Sequence, residues 1–207
     1  MLKLNPIRMG NGQTRIGNLA KRLAENSNPP LQAITYQVDN IDDRIDLIIS
    51  QINHGKRDGN VRKIASQVLA GKSGHDWTVP IRDHKAEAVA IFDYVRNNVR
   101  YTLDTYGVEL YQTANRTLEL GIGDCDDMTI LLGSLLQIVG LPIRIRVIGL
   151  KGQNVFSHVY LLVGLPPENP TAWMPLDSSR PEAAGWELPS SQRGLKRDYE
   201  VPDQMPR

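Results

Sequence analysis

The sequence predicts an α+β domain in which a layer of helices packs on a small antiparallel sheet. Between residues 41 and 139 apolar residues recur with the spacing of a helix face. From residue 143 onward they alternate with polar residues, as in half-buried strands. A cysteine stands at the start of the last helical segment, so we expect it at the seam between helices and sheet.

Polar segments separate the first three predicted helices. The apolar face of the first begins at Ile41. The second begins with Asn60 as its N-cap and stops at Gly71, and the third has Asp83 near its N-cap. Residues 101–123 contain several glycines and are predicted to be irregular.

The fourth helix begins at Cys125, the only cysteine of the chain. Asp124 is a suitable N-cap, and Asp127, three residues further on, gives an acidic form of the capping box. Gly140 and Pro142 end the helix in the usual order. These signals predict a cysteine in the first turn of a long apolar helix.

Three strand-like runs follow, and two of them predict a pairing of a histidine with an acid. The runs are "IRIRVIG", "SHVYLLVG" and "TAWMPLD". If the last two form an antiparallel hairpin, its loop centre lies between Pro167 and Glu168. Reflection about that centre places His158 opposite Asp177, on the same face of the sheet. A slip of one residue would separate the two side chains.

The chain divides into three predicted parts. Residues 1–38 form a basic N-terminal arm, 39–178 form the domain, with its motif-bearing core at about 60–178, and 179–207 form a Pro-rich C-terminal tail with little to bury. We expect the arm and the tail to bind protein partners, namely other subunits of an assembly.

Composition excludes some classes of partner. The net charge of +1 gives no reason to expect nucleic acid or an anionic membrane surface as an electrostatic partner. No apolar run is long enough for a signal peptide or a membrane span. A single cysteine forms no internal disulfide, so the fold does not need an oxidising compartment, and a cytoplasmic protein is predicted.

Cys125 has the position of a nucleophile, but its neighbours oppose that role. The N–H groups and the dipole at a helix N-terminus favour a thiolate and can hold an oxyanion. Asp124, Asp126 and Asp127 raise the pKa of the thiol instead. An inert core thiol therefore stays open as an alternative. A metal site has less support, because the chain has no Cys-x-x-Cys or His-x-x-x-His pattern.

Three segments in order carry a family resemblance: "GDCDDMTILLGSLLQIVGLPIRIRVIG", "FSHVYLLV" and "WMPLDSS". Together they resemble the transglutaminase-like superfamily of papain-fold thiol enzymes, over roughly residues 60 to 180. The resemblance implies a transglutaminase-like core with Cys125 as nucleophile, His158 as base and Asp177 as the group that orients the base. Gln112, in the loop before the cysteine, is a candidate second oxyanion donor on chemical grounds alone.

The resemblance also implies an activity. Such a thiol attacks an amide or peptide bond, forms a thioester, and transfers the acyl group to water or to an amine. The protein would then be a cysteine peptidase or amidase, or a transglutaminase, with no cofactor and no metal.

A narrower likeness concerns the setting of the protein. "GVELYQTANRTLELGIGDCDD" looks like the small transglutaminase-like proteins found among the structural genes of tailed bacteriophages. This implies synthesis in the cytoplasm of a bacterial host and incorporation in the virion. The alternative is a non-catalytic virion structural or adaptor protein that uses the same domain as a scaffold.

Overall fold

The computed structural model describes residues 40–71, 77–104 and 110–202. The predicted arm, 1–38, and the last five residues of the predicted tail lie outside this part of the chain. The helices are α1 (Ile41–Gly55), α2 (Gly59–Ala70), α3 (His84–Asn98), α4 (Ala114–Leu120) and α5 (Cys125–Ile138). The strands are β1 (Arg100–Tyr101), β2 (Ile122–Gly123), β3 (Ile143–Leu150), β4 (His158–Leu165), β5 (Ala172–Leu176) and β6 (Arg193–Glu200).

The predicted α+β class is confirmed, and most helix starts follow the capping residues that the sequence offers. Asp83 caps α3, and Asp124 and Asp127 form the capping box of α5. The predicted cap of α2 was wrong. Asp58, rather than Asn60, is the N-cap, because its extended backbone lets its carboxylate accept from the N–H groups of the first turn.

The main sheet has four antiparallel strands in the order β5-β4-β3-β6. The helices cover one face of the sheet. Helix α5 lies at the centre of this layer and contacts α1, α2, α3 and α4 as well as β4. All positions from 126 to 137 of α5 are buried, so the apolar run behind Cys125 forms the middle of the core.

Glycine allows α1 to approach α5 closely. A Cβ atom on Gly55 would lie 2.3 Å from Oγ of Ser134 and 2.7 Å from Cβ of Ala114. No side chain fits at such distances, so a larger residue would push α1 away from α5. Residues near the starts of these two helices line the same pocket.

The predicted hairpin forms, but its register differs from the prediction by two residues. Leu161 pairs with Leu176 and Leu165 with Ala172, so the loop centre lies between Glu168 and Asn169. Strand β4 extends to Leu165 and β5 begins at Ala172, so the loop is centred one residue further along the chain than the sequence predicted. A shift of two residues leaves every side chain on its predicted face, because the side-chain period of a strand is two.

The tail buries more than its composition suggested. Strand β6 pairs with β3 along most of its length, and Val201 packs in the core. The sequence missed this strand because three consecutive charged residues, 196–198, interrupt any apolar alternation, and charged side chains are common on an edge strand. The division of the chain at residue 178 stays a prediction, but residues 193–201 belong to the sheet and its core.

An ionic cluster holds the end of the chain to the outer face of the sheet. Arg146 of β3 binds both oxygens of Asp198 at 2.6 and 2.7 Å, and it also pairs with Glu187. Glu187 accepts a further hydrogen bond from the hydroxyl of Tyr160 and forms an ion pair with Arg193, each at 2.7 Å. This cluster fixes the segment before β6 over the small apolar patch around Ile148, Tyr160 and Leu162.

Candidate active site

The ring of His158 and the carboxylate of Asp177 are hydrogen-bonded. Nε2 of His158 lies 2.7 Å from Oδ2 of Asp177, and the side chains are only 14% and 7% exposed. The contact predicted from the sequence is thus confirmed. It runs diagonally between β4 and the end of β5 rather than straight across, because the register differs by two residues.

Other groups hold Asp177 in place. Its Oδ1 accepts hydrogen bonds from the hydroxyl of Ser179 at 2.7 Å and from the backbone N–H of Ser179 at 3.3 Å. The guanidinium of Arg180 lies 3.9 Å from Oδ2. Since both oxygens have partners, the carboxylate presents Oδ2 to His158 in a fixed direction.

Cys125 lies on the helix side of the pocket that His158 lines from the sheet. It is the first residue of α5, is half-buried, and lines one pocket together with His158. The backbone N–H of Val159 donates a hydrogen bond toward its sulfur. The start of β4 therefore contributes the His158 ring to the pocket that contains the thiol, and a main-chain donor to the sulfur.

The electrostatics of the pocket disfavour a resting thiolate. Burial raises the pKa of Cys125, and the charges of Asp126, Asp124 and Asp177 raise it further. The hydrogen bond from Val159 lowers the pKa but does not compensate. Burial is thus the largest cause of the raised pKa of the thiol, and the acidic neighbours Asp126 and Asp124 noted in the sequence add to it.

Gln112 serves a different purpose from the one proposed on chemical grounds. Its side-chain amide donates to Oδ2 of Asp127 at 2.6 Å and to the carbonyl of Ile122 at 3.2 Å, which engages both amide hydrogens. Its backbone N–H donates to Oδ1 of Asp127 at 2.7 Å. No amide hydrogen is left for an oxyanion in this arrangement, so we do not retain Gln112 as an oxyanion donor.

The first turn of α5 is closely packed around Asp127. The side chain is fully buried, and burial raises its pKa to about 6 although Gln112 donates to it. A Cβ on Gly123 would lie 2.7 Å from Cβ of Asp127, which explains a glycine two residues before the cysteine. These contacts connect the loop before α4 with strand β2 and with the start of α5, next to Cys125.

Sequence reasoning missed Tyr101. The short strands β1 and β2 run parallel and pair Tyr101 with Gly123, which places this tyrosine beside the start of α5. The pKa of its phenol is raised, first by burial and then by nearby acidic groups that include Asp124. A two-residue strand leaves no periodic signal, so the sequence alone could not reveal this neighbour.

The other histidines in the described ranges do not enter the site. His84 pairs with Glu87 on α3, at 2.9 Å, and His54 lies in the last turn of α1; His75 is outside the description. Within 40–71, 77–104 and 110–202, no group of three His, Cys, Asp or Glu side chains is arranged to hold a metal ion. In the same ranges, no helix has the length and apolar character needed to span a membrane.

A mixed fold with a cysteine at a helix start, facing a histidine–aspartate pair on a sheet, defines a papain-like arrangement. The model of the transglutaminase-like superfamily matches residues 75–178, half of the chain. The chain therefore belongs to the transglutaminase-like superfamily. Helix α1, helix α2 and strand β6 lie outside the matched residues.

Solved structures show more distant similarities. A candidate cysteine protease from Cytophaga hutchinsonii is 18% identical, with a TM-score of 0.46 over 80% of this chain and 54% of that one. A candidate protease from Parabacteroides distasonis is 12% identical, with a TM-score of 0.43 over 75% of this chain and 31% of that one. A TGase is 14% identical, with a TM-score of 0.41 over 86% and 41% of the two chains.

The chain spans about half or less of the length of these three structures. Among curated proteins, none matches this chain.

Proposed function

We propose that this protein is a thiol enzyme that cleaves or transfers amide-bonded acyl groups, with Cys125 as nucleophile, His158 as base and Asp177 as the group that orients His158. The observation that carries the proposal is the hydrogen bond of 2.7 Å between Nε2 of His158 and Asp177, in the pocket that also contains Cys125. This arrangement has the chemical parts that a thiol nucleophile needs.

The hydrogen bond determines which ring nitrogen acts as base. The carboxylate of Asp177 accepts a hydrogen bond from the Nε2–H group of His158, so the free lone pair of the ring is on Nδ1. Because the pKa of Cys125 is raised, the thiol stays protonated at rest. Nδ1 therefore takes the proton as the sulfur attacks, in general-base catalysis rather than from a preformed ion pair.

The reaction has two steps, acylation and deacylation of Cys125. The sulfur–carbon bond forms while the carbonyl electrons move to oxygen, and His158 holds the thiol proton. The carbon–nitrogen bond breaks, the leaving amine takes that proton from His158, and a thioester remains on Cys125. Water or a second amine then gives a proton to His158 and forms a bond to the carbonyl carbon. The carbon–sulfur bond breaks, the acyl group leaves on the attacking oxygen or nitrogen, and His158 returns the proton to the sulfur of Cys125.

The backbone N–H of Cys125 is the proposed oxyanion donor. Oδ1 of Asp124 accepts from the N–H groups of Asp126 and Asp127, at 2.9 and 3.1 Å. The N–H of the first helical residue has no partner within a helix, so it is the donor that remains in this turn. In this proposal it donates to the oxyanion that forms when Cys125 attacks the carbonyl.

The test is acyl-enzyme formation from a panel of N-acetyl amino acid 4-nitrophenyl esters. Nitrophenolate release gives the rate, and intact-protein mass spectrometry locates the acyl group. We expect acylation on Cys125, none in Cys125→Ser, and a rate lowered roughly 10²–10⁴-fold in His158→Ala. Asp177→Asn lowers it too, because an amide donor at Oδ2 favours the tautomer with its proton on Nδ1.

His84→Ala is the control, because His84 forms the other histidine–carboxylate pair of the described residues. The His84→Ala variant should be acylated at the wild-type rate. Equal rates in wild type and His158→Ala would reject the proposed mechanism. A primary amine is then added and the products are identified: a free acid indicates hydrolysis, and an amide of the added amine indicates acyl transfer.

The raised pKa of Cys125 favours a second candidate function, a non-catalytic structural or adaptor protein. For either function we propose a place in the particle of a tailed bacteriophage, on the likeness of the segment that ends in "GIGDCDD". Mass spectrometry of purified particles tests that setting, and its outcome does not depend on the acylation assay.

A further inference from the structure

The pocket beside Cys125 has apolar walls that the proposed chemistry does not use. Its volume is about 200 Å³, and Cys125 and His158 both line it. A nucleophile and a base need only a small opening to reach a carbonyl group. The remaining walls therefore determine what kind of group can lie beside that carbonyl.

Helix α1 supplies one wall. Ile41, Ile45 and Ile48 are spaced by four and three residues, so they share one face of the helix and all three line the pocket. Ile45 and Ile48 are buried, whereas Ile41 is half-buried. The wall is thus continuous with the core at its base and reaches solvent at Ile41.

The second wall is made of residues from three other segments of the chain. Val147 of β3 is buried, while Phe156 and Tyr111 are half-buried loop residues. Aliphatic and aromatic carbon therefore faces the space from both walls. The charged side chains that share the pocket, Arg44 and Asp126, have opposite signs, so net charge favours neither an acid nor a base.

Strand β6 fixes the two walls relative to each other. The guanidinium of Arg197 lies 5.6 Å from the ring centre of Phe156 and 3.1 Å from Oδ1 of Asp42. The hydroxyl of Tyr199 donates to the same oxygen of Asp42, at 2.6 Å. The first turn of α1 and the Phe156 ring are therefore held by one strand, and a pocket with connected walls can select a side chain.

We propose that this pocket binds an apolar side chain of the substrate, next to the carbonyl that Cys125 attacks. The inference rests on the proposed function of Cys125 as a nucleophile. It names the substrate class as amides or peptides with an aliphatic or aromatic residue on the acyl side. The selecting walls come largely from α1 and are held by β6, both outside the residues that match the family model.

The experiment uses alkylating probes, because Cys125 is the only thiol of the chain and alkylation needs no turnover. An iodoacetamide with an N-hexyl tail is compared with one that carries a polar ether tail of equal length. Rates are measured at alkaline pH and divided by the rates with a small free thiol. Each buried methylene group favours binding about fourfold, so we expect the hexyl probe to react about tenfold faster or more.

Ile41→Asp tests the wall itself. The residue is the first of α1, where an acidic side chain is compatible with the helix, so the fold should persist. We expect the preference for the hexyl tail to fall to about one-third or less of its wild-type value. Phe156→Asn in the second wall should act in the same direction.

Ile81→Asp is the control for the same substitution, because Ile81 is 69% exposed and does not line the pocket. It should keep the wild-type preference. The inference would be overturned if the wild type reacted equally fast with the hexyl and ether probes. It would also be overturned if both wall variants kept the wild-type preference for the hexyl probe. Either result leaves the acylation assay unaffected, so a failure here and a failure of the proposed enzyme activity are distinguishable.

Discussion

Gln112 and Asp127 are joined by two hydrogen bonds, one from the backbone N–H of Gln112 at 2.7 Å and one from its side-chain amide at 2.6 Å. The fully buried carboxylate thereby connects the loop before α4 to the first turn of α5. Because Cys125 lies in that turn, the pair bears on the stability of the domain and on the position of the thiol.

Gln112→Met should destabilise the protein without the rate loss expected for an oxyanion donor. The change keeps the shape of the side chain but leaves the Ile122 carbonyl unpaired and removes a donor to Asp127. We expect a loss of about 1–3 kcal/mol in the free energy of unfolding, measured by urea denaturation. A fall in acylation of more than about a hundredfold with unchanged stability would restore Gln112 to the oxyanion site.

Asp127→Asn should remove part of the pH dependence of stability. The pKa of Asp127 is raised from 3.8 to about 6, so the folded state binds a proton more tightly than the unfolded chain. Its contribution is greatest at low pH and decreases as the pH rises through this window, by up to about 3 kcal/mol.

Urea denaturation at several pH values should show wild type losing stability relative to Asp127→Asn as the pH rises from 3.8 to about 6. Asp43→Asn, an exposed acid in the first turn of α1, is the control and should keep the wild-type slope. Parallel curves for wild type and Asp127→Asn would contradict the prediction.

Asp126→Asn should make Cys125 more reactive near neutral pH. Apart from burial, the charge of Asp126 is the largest cause of the raised pKa of the thiol, so its removal lowers that pKa. We expect iodoacetamide labelling to become about threefold to tenfold faster, since one pKa unit changes the thiolate fraction tenfold. The same replacement at Asp93, on the surface of α3, should leave the rate unchanged.

Glu187→Gln should weaken the domain at neutral pH and less so in acid. Burial alone would raise the pKa of Glu187, but hydrogen bonds from Arg193, Tyr160 and Arg146 outweigh it and hold the pKa at about 2. A lowered pKa stabilises the fold above the ordinary value of 4.5, and this contribution is lost as the pH falls toward 2.

With allowance for solvent screening, we expect Glu187→Gln to cost about 1–2 kcal/mol near neutral pH, by thermal or urea denaturation. Glu200→Gln removes an exposed partner of Arg144 on the same sheet and should cost less than about 1 kcal/mol. Equal losses in the two variants would mean that the cluster around Arg146 adds nothing beyond a surface ion pair.

Truncation from the two ends should give opposite results. A chain that stops after Ser178 lacks β6 and the core residue Val201, so it should not fold cooperatively. Deletion of residues 1–38 should leave a folded domain with normal Cys125 labelling that no longer enters its assembly. Circular dichroism and labelling measure folding, and unfolding of the second variant would place the arm in the core.

The sequence by itself determined the elements that strong local signals define. The apolar face after Ile41, the cap at Asp124 and the alternation from Ile143 each predicted an element that the structure contains. The contact between His158 and Asp177 was also predictable, because an even error in register keeps the face of a strand. Local periodicity and capping are properties of consecutive residues and need no tertiary context.

Tertiary structure alone decided what depends on distant segments. Strand β6 has no apolar pattern and forms because β3 offers a free edge and Arg146 offers a partner for Asp198. The partners of Gln112 and the place of Tyr101 beside Gly123 follow from chain segments that meet only in the fold. The raised pKa of Cys125 also depends on the tertiary structure, because its largest cause is burial. No local sequence pattern measures burial.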